Sequence, residues 1–179
     1  MVYFRLNIKF VIALIILLSS CANFSAYFNT FYNAKEQFNE AEIIRKKSEN
    51  NKLSKTATDL YKSSIEKSIF ILSEYPDVSF RKDAYLVIIK SYFFIGEYKE
   101  ANLAITSMQE EFNNEEILEI AYWSALIKWK EGRAQPAINA LINLLEDNID
   151  ISLQSKIYLS IAEIYFEQNL NEKSMDYLE

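Results

Sequence analysis

AYLVIIKSYFFIGEYKEANLAI (residues 84–105) and AYWSALIKWKEGRAQPAINAL (residues 121–141) are two versions of one pattern, and YLSIAEIYFEQNLNEKSMDYL (residues 158–178) is a third. Tyr92, Gly96, Tyr98 and Ala101 in the first correspond to Lys128, Gly132, Ala134 and Ala137 in the second. In the third they correspond to Tyr165, Asn169, Asn171 and Ser174. Successive markers are 36 and 37 residues apart. Gly and Asn both tolerate the left-handed conformation that closes a helix, so one type of helix-to-helix turn explains all three copies. Pro136 falls in the first turn of the helix that follows, where a missing N–H costs nothing. Self-similarity at this period predicts a stack of helix pairs.

The rest of the chain agrees with an all-α class. Half of its 179 residues are hydrophobic, enough to bury a sizeable core. Two Gly and two Pro leave little turn chemistry for a sheet, since average usage is roughly 7 and 5 per cent. His is absent and Cys occurs once, which excludes a zinc site of the usual Cys/His kind, a serine or cysteine triad and an intramolecular disulfide. No glycine-rich phosphate loop or nucleophile elbow is present. The acidic pairs Glu110-Glu111 and Glu115-Glu116 are neighbours along a helix and do not face one another, so they read as solvated surface. No enzyme activity, cofactor or metal is expected. The net charge is −6, with basic residues scattered among acids apart from Arg45, Lys46 and Lys47, a run that reads as a solvated helix end. Nucleic acid is not an expected partner, because phosphate binding needs a concentrated basic face.

The paired helices, with a small residue at the turn and Ala in the second helix, resemble the tetratricopeptide repeat over most of residues 58–179. The resemblance implies an α-solenoid of antiparallel helix pairs that binds other proteins. Steps of 36 and 37 residues exceed the family's period of about 34, which implies lengthened loops between pairs. Tyr75-Pro76 matches the proline that closes a repeat of this family. Residues from Thr58 would then be the second helix of an earlier pair.

That earlier pair would begin in an aromatic stripe. Phe24, Tyr27, Phe28, Phe31 and Tyr32 recur at helical spacing and lead into Phe38 and Ala41, predicting a helix from about Ala26 to Lys47. Ser48 to Ala57 is polar and aperiodic and reads as a loop or frayed end. From Thr58, Leu60, Tyr61, Ile65, Ile69 and Leu72 keep the helical period up to Tyr75-Pro76-Asp77, where proline ends it. The expected organisation is residues 1–20 as a leader, 21–57 as aromatic helix and polar insertion, and 58–179 as repeats. The sequence stops at Glu179 inside the second helix of a pair, with Met175 and Leu178 in want of a neighbour. A truncated chain, or an end packed on a partner, is expected, because solenoids usually cap that surface with a polar helix.

The leader is an address. Arg5 and Lys9 precede the apolar run Phe10 to Leu18, which is followed by Ser19 and Ser20, a signal peptide pattern. The run is about half the roughly 20 residues a spanning helix needs. Leu18-Ser19-Ser20-Cys21 resembles the lipobox of bacterial lipoproteins, and it holds the chain's only Cys. The resemblance implies diacylglycerol on the Cys21 sulfur, cleavage before it and acylation of the new amine, two or more chains anchoring stably where one is marginal. Removal of residues 1–20 leaves 17 basic against 25 acidic residues, a charge of −8. Ala22, where proteobacterial lipoproteins retained at the inner membrane carry Asp, implies the outer membrane, facing the periplasm, with the inner membrane and the cell surface as the other addresses.

If the repeats bind a protein, the first helix of each pair should line the groove. An aromatic stands three residues before each turn marker, at Phe93, Trp129 and Phe166, with Phe94, Tyr122, Lys90 and Lys130 nearby by helical geometry. Such a row suits an extended or helical segment of a partner. The plainer reading is packing between adjacent helices. Phe24 to Tyr32 has the same duality, a membrane interface or the core of the first pair. A lipid-anchored tetratricopeptide array resembles the lipoproteins of the outer-membrane β-barrel assembly machinery, which implies a scaffold for other envelope proteins. Other repeat lipoproteins remain open, among them secretin pilotins, cell-wall scaffolds and the platform of a longer carbohydrate-binding or catalytic protein.

Overall fold

The computed structural model of the chain describes residues 27–48, 52–112, 118–147 and 149–178. The leader, Cys21, Ala22 and Phe24 lie outside the described residues, as do Glu115 and Glu116. The described residues are helical, without strands. A π-helical turn, Tyr27–Phe31, opens into α1 (Tyr32–Lys46), followed by α2 (Lys55–Glu74), α3 (Arg81–Ile95), α4 (Tyr98–Glu111), α5 (Leu118–Lys130), α6 (Ala134–Leu144), α7 (Ile151–Glu167) and the short α8 (Asn171–Asp176). Two compact units divide between Val87 and Ile88, inside α3.

In the first unit α1 and α2 lie along each other. Their facing surfaces carry small, fully buried residues, Ala34 and Ala41 on one helix and Ala57, Ser64 and Ser68 on the other. Small side chains at a contact let helix axes approach closely. The Ser64 hydroxyl crosses this contact and donates to the Ala34 carbonyl at 2.9 Å. The stripe expected to run through Ile69 is turned, since Ile69 is exposed while Ser64, Ser68 and Ile71 are buried. Close approach of backbones selects for size here, and serine supplies it at the cost of hydrophobicity.

Helix α2 also starts earlier than the expected Thr58, at Lys55. Ser54 is its N-cap and accepts from the Ala57 N–H at 3.2 Å, satisfying one of the donors that a helix start leaves unpaired. At the other end, the helix stops before Pro76, and the Arg81 guanidinium donates to the freed carbonyls of Leu72 (2.9 Å) and Tyr75 (3.0 Å). Phe31 stacks on Phe80 with ring centres 4.7 Å apart and packs in a core with Ile71 and Val78.

The second unit repeats one turn three times. Gly96 and Gly132 have φ of 82° and 84°, and Asn169 takes the same left-handed conformation at 61°. The marker N–H donates to the carbonyl three residues back, from Gly96 to Phe93, from Gly132 to Trp129 and from Asn169 to Phe166. The next N–H reaches five residues back, from Glu97 to Tyr92, from Arg133 to Lys128 and from Leu170 to Tyr165. This bond pair is the Schellman closure, which satisfies the last carbonyls of the first helix and turns the chain at once. Ala101, Ala137 and Ser174 are each buried one turn into the second helix. The Ser174 hydroxyl donates to the Ala162 carbonyl at 2.9 Å.

Pairs stack on pairs. α5 contacts α4, α6 and α7, and α7 contacts α5, α6 and α8. α5 is accordingly buried on several faces, through Ile120, Trp123, Leu126 and Ile127, as a helix covered on more than one side must be. The protein is thus all-α and built of paired helices, and in the second unit each pair packs on the next. Among the described residues no helix is long and apolar enough to cross a membrane.

Candidate functional site

Of the seven residues expected to line a groove, six fall into two clusters on the first helices of the pairs and the seventh, Phe166, belongs to neither. Phe93 is buried, edge-on to Phe94 (5.4 Å between ring centres) and to Trp123 of α5 (5.2 Å). Phe94 meets the same indole at 5.7 Å. Tyr122 adds a fourth ring, 5.4 Å from Trp123. Lys90 borders this cluster, its ammonium 5.9 Å from the Trp123 ring centre and paired with Glu119. These contacts join α3 to α5 within the second unit.

One pair further on, the contacts are polar. The Tyr122 and Ser160 hydroxyls share a buried hydrogen bond of 3.0 Å between α5 and α7. Burial pushes the Tyr122 phenol above its usual range, helped by the negative charges of Glu163 and Glu119, with the Ser160 bond acting the other way. Trp129 donates its indole N–H to one oxygen of Glu167 at 3.0 Å. Lys130 donates to the other oxygen at 3.2 Å while lying 3.3 Å from the Trp129 ring centre. A cation over the face of an indole is held by the ring quadrupole. Trp129, Lys130 and Glu167 therefore form a closed cluster on the α5–α7 contact.

Phe93, Trp129 and Phe166 occupy the same position in successive pairs, yet no ring contact joins them among the described residues. What differs is how much follows them. Phe93 is covered by Trp123 of the next first helix, Trp129 is half-buried under Glu167, and Phe166 is exposed. Lys90, Phe93, Phe94 and Tyr122 come together around Trp123. Trp129 and Lys130 come together around Glu167. Phe166 stands apart from both.

No family model matches the chain, and no curated protein matches it. The contacts at the candidate site are aromatic, ionic and hydrogen-bonded. Among the described residues no group of His, Cys, Asp or Glu side chains is placed to hold a metal ion. Glu110 and Glu111 are exposed.

The residues that organise these clusters, Trp123, Glu119, Ser160 and Glu167, were not among those singled out in the sequence. Glu167 was legible through the repeat itself, because it stands one step of 37 residues after Lys130 with the opposite charge. A second polar cluster lies in the first unit. Arg45 grips Glu42 with two bonds of 2.9 Å, Lys46 stands 3.7 Å from the same carboxylate, and the buried Tyr61 hydroxyl donates to it. Burial alone would raise the Glu42 pKa, but the Arg45 and Tyr61 bonds and the two cations together hold it below the ordinary value. The basic run at the end of α1 is therefore tied to its own helix through Arg45 and Lys46.

Proposed function

We propose that the protein is a lipid-anchored helical-repeat scaffold of the bacterial envelope that binds other proteins, of tetratricopeptide type, with outer-membrane β-barrel assembly as its setting. The observation that carries the scaffold reading is the thrice-repeated Schellman turn, which stacks helix pairs and builds surface in increments. Arrays of this construction present extended side-chain surfaces rather than enclosed pockets. The anchoring reading rests on the sequence Leu18-Ser19-Ser20-Cys21 after an apolar run. The resemblance to the tetratricopeptide lipoproteins of barrel assembly rests on the two features together.

Two measurements test this reading. Cys21→Ala is expected to abolish acyl labelling and to release the protein from membranes, and continued acylation of that variant would refute the anchor. Affinity purification from gently solubilised envelopes is expected to recover a barrel-assembly protein in stoichiometric amount. Recovery of secretin or cell-wall proteins instead would keep the scaffold and discard the assembly setting.

A further inference from the structure

The end of the first unit where α1 begins is also where α2 ends. Phe31, just before α1, packs in one core with Ile71 and Val78, and the Ser64 hydroxyl of α2 meets the Ala34 carbonyl of α1. Beside the buried Ile71, α2 turns two large apolar residues outward, Ile69 at 46% exposure and Phe70 at 48%. Tyr32, the first residue of α1, is 47% exposed. Phe70 lies edge-on to Tyr75, with ring centres 6.1 Å apart. Lys67, one turn before Phe70, shares a surface groove with Asn33, Glu36 and Gln37 of α1, which puts Phe70 beside the start of that helix. Ile69 and Phe70 stand well inside the sequence, and within the first unit neither α1 nor the turn after α2 covers them. This end is also the one nearest Cys21. Five residues, 22–26, separate Cys21 from Tyr27, so even a fully extended connection holds the first helical turn within about 22 Å of the acylated residue. Lys46, at the opposite end of α1, is 19 residues beyond Tyr27, about 28 Å along a helix axis.

We infer that Ile69, Phe70 and Tyr32 form a contact surface for a lipid bilayer and enter its headgroup region beside the anchor. The inference rests on the reading of Cys21 as an acylated residue and deepens it, by assigning the face of the protein that the bilayer meets. The short connection brings this end of the first unit to the membrane, and the large apolar side chains exposed there gain by leaving water for the boundary between headgroups and acyl chains. Tyrosine suits that boundary, because its ring is apolar and its tip polar. The charge nearby is close to balanced, four acids against three bases from residue 66 to residue 83. Insertion of apolar side chains, rather than attraction to anionic lipid, therefore makes the contact, and a bilayer without net charge is sufficient for it.

The test exploits the cysteine count. Once Cys21 is acylated the mature chain has no free thiol, since it holds no other cysteine, so an introduced cysteine is labelled alone. Ser73→Cys, at an exposed residue one turn past Ile69 and Phe70, carries an environment-sensitive fluorophore, and the acylated protein is reconstituted into phosphatidylcholine vesicles. Blue-shifted emission is expected, with quenching by lipids that bear a nitroxide near the headgroup. The same label on Lys47→Cys, an exposed residue at the far end of α1, is expected to report water. Adding Phe70→Asp to the labelled Ser73→Cys protein should abolish the quenching while the protein stays on the vesicles through its acyl chains. Phe70 is exposed, so circular dichroism should show the fold intact. Mass spectrometry reads acylation separately. An acylated protein whose label at position 73 reports water, or is quenched no more than the label at position 47, or is indifferent to Phe70→Asp, overturns the inference and leaves the anchor standing. A protein without acyl chains overturns both.

Discussion

Replacing the turn glycines by alanine isolates the cost of a left-handed backbone, because nothing else at these positions should change. A Cβ built on Gly96 or Gly132 meets no atom within 4 Å, so alanine brings no clash. The φ values of 82° and 84° remain, and an L residue there costs about 1–2 kcal/mol. Alanine also stiffens the unfolded chain, which offsets about 0.4–1 kcal/mol of that. The net loss expected for Gly96→Ala or Gly132→Ala is therefore about 1 kcal/mol, or roughly 2–4 °C in Tm for a chain of this length. Asparagine at the same places should lose less than half as much, since Asn already occupies this conformation at Asn169. Urea unfolding followed by helical circular dichroism measures both. Equal losses for Ala and Asn, or no loss for Ala, would refute the argument that conformation alone selects these residues.

Two further perturbations probe the polar contacts. Tyr122→Phe deletes a buried bond and strands the Ser160 hydroxyl, an expected cost of about 1 kcal/mol; adding Ser160→Ala should recover part of it, and full additivity in the double-mutant cycle would show that the two hydroxyls do not interact. Glu42→Gln should cost about 1–2 kcal/mol at neutral pH by weakening the bonds to Arg45 and Tyr61. Because the folded-state pKa of Glu42 is lowered, its stabilisation is fully present above the unfolded value of about 4.3 and is lost as pH falls through the lower folded value. Urea midpoints measured from pH 6 to pH 3 should therefore fall more steeply for the wild type than for Glu42→Gln, and parallel curves would contradict this account.

Much of the fold was legible because the turn chemistry is so sparse. With two glycines in the chain, a 36-residue step between them is a strong mark, and the Asn169 turn followed by extension. The buried Ala101, Ala137 and Ser174 follow from the same alignment, and the end of α2 follows from the clash of Pro76 with a continuing helix. The start of α2 was hidden because its cap, Ser54, lies in a polar stretch where one serine looks like the next. Its buried face was hidden because Ser64 and Ser68 count as polar in any periodicity, although their size is what the contact with Ala34 and Ala41 requires. At the candidate site, following the position three residues before each turn found Phe93, Trp129 and Phe166 but passed over Trp123, which sits further back on α5 and gathers the surrounding rings. Pairs such as Lys130 with Glu167 become visible only when each copy is read against the next, because they join residues far apart in the chain at matching places in adjacent helices.

Two directed bonds, from Ser64 to Ala34 and from Tyr61 to Glu42, set the alignment of the first two helices. Apolar surfaces resist being parted more than being slid, and a slip of one helical turn, about 5.4 Å, exchanges one set of methyl contacts for another. The Tyr61 hydroxyl of α2 is bonded to the one carboxylate of Glu42 on α1, and a slip of a turn would break that bond with no second carboxylate in its place. In the pairs of the second unit the tight turn already holds the helices in step, whereas α1 and α2 are joined by the longer connection between Lys47 and Ser54. There the alignment is carried by the Ser64–Ala34 and Tyr61–Glu42 bonds together, like pins through two rails. The connecting segment is released from that duty. Lengthening it costs only slowly growing loop entropy, which makes it the place where this chain accepts added residues without its helices losing step.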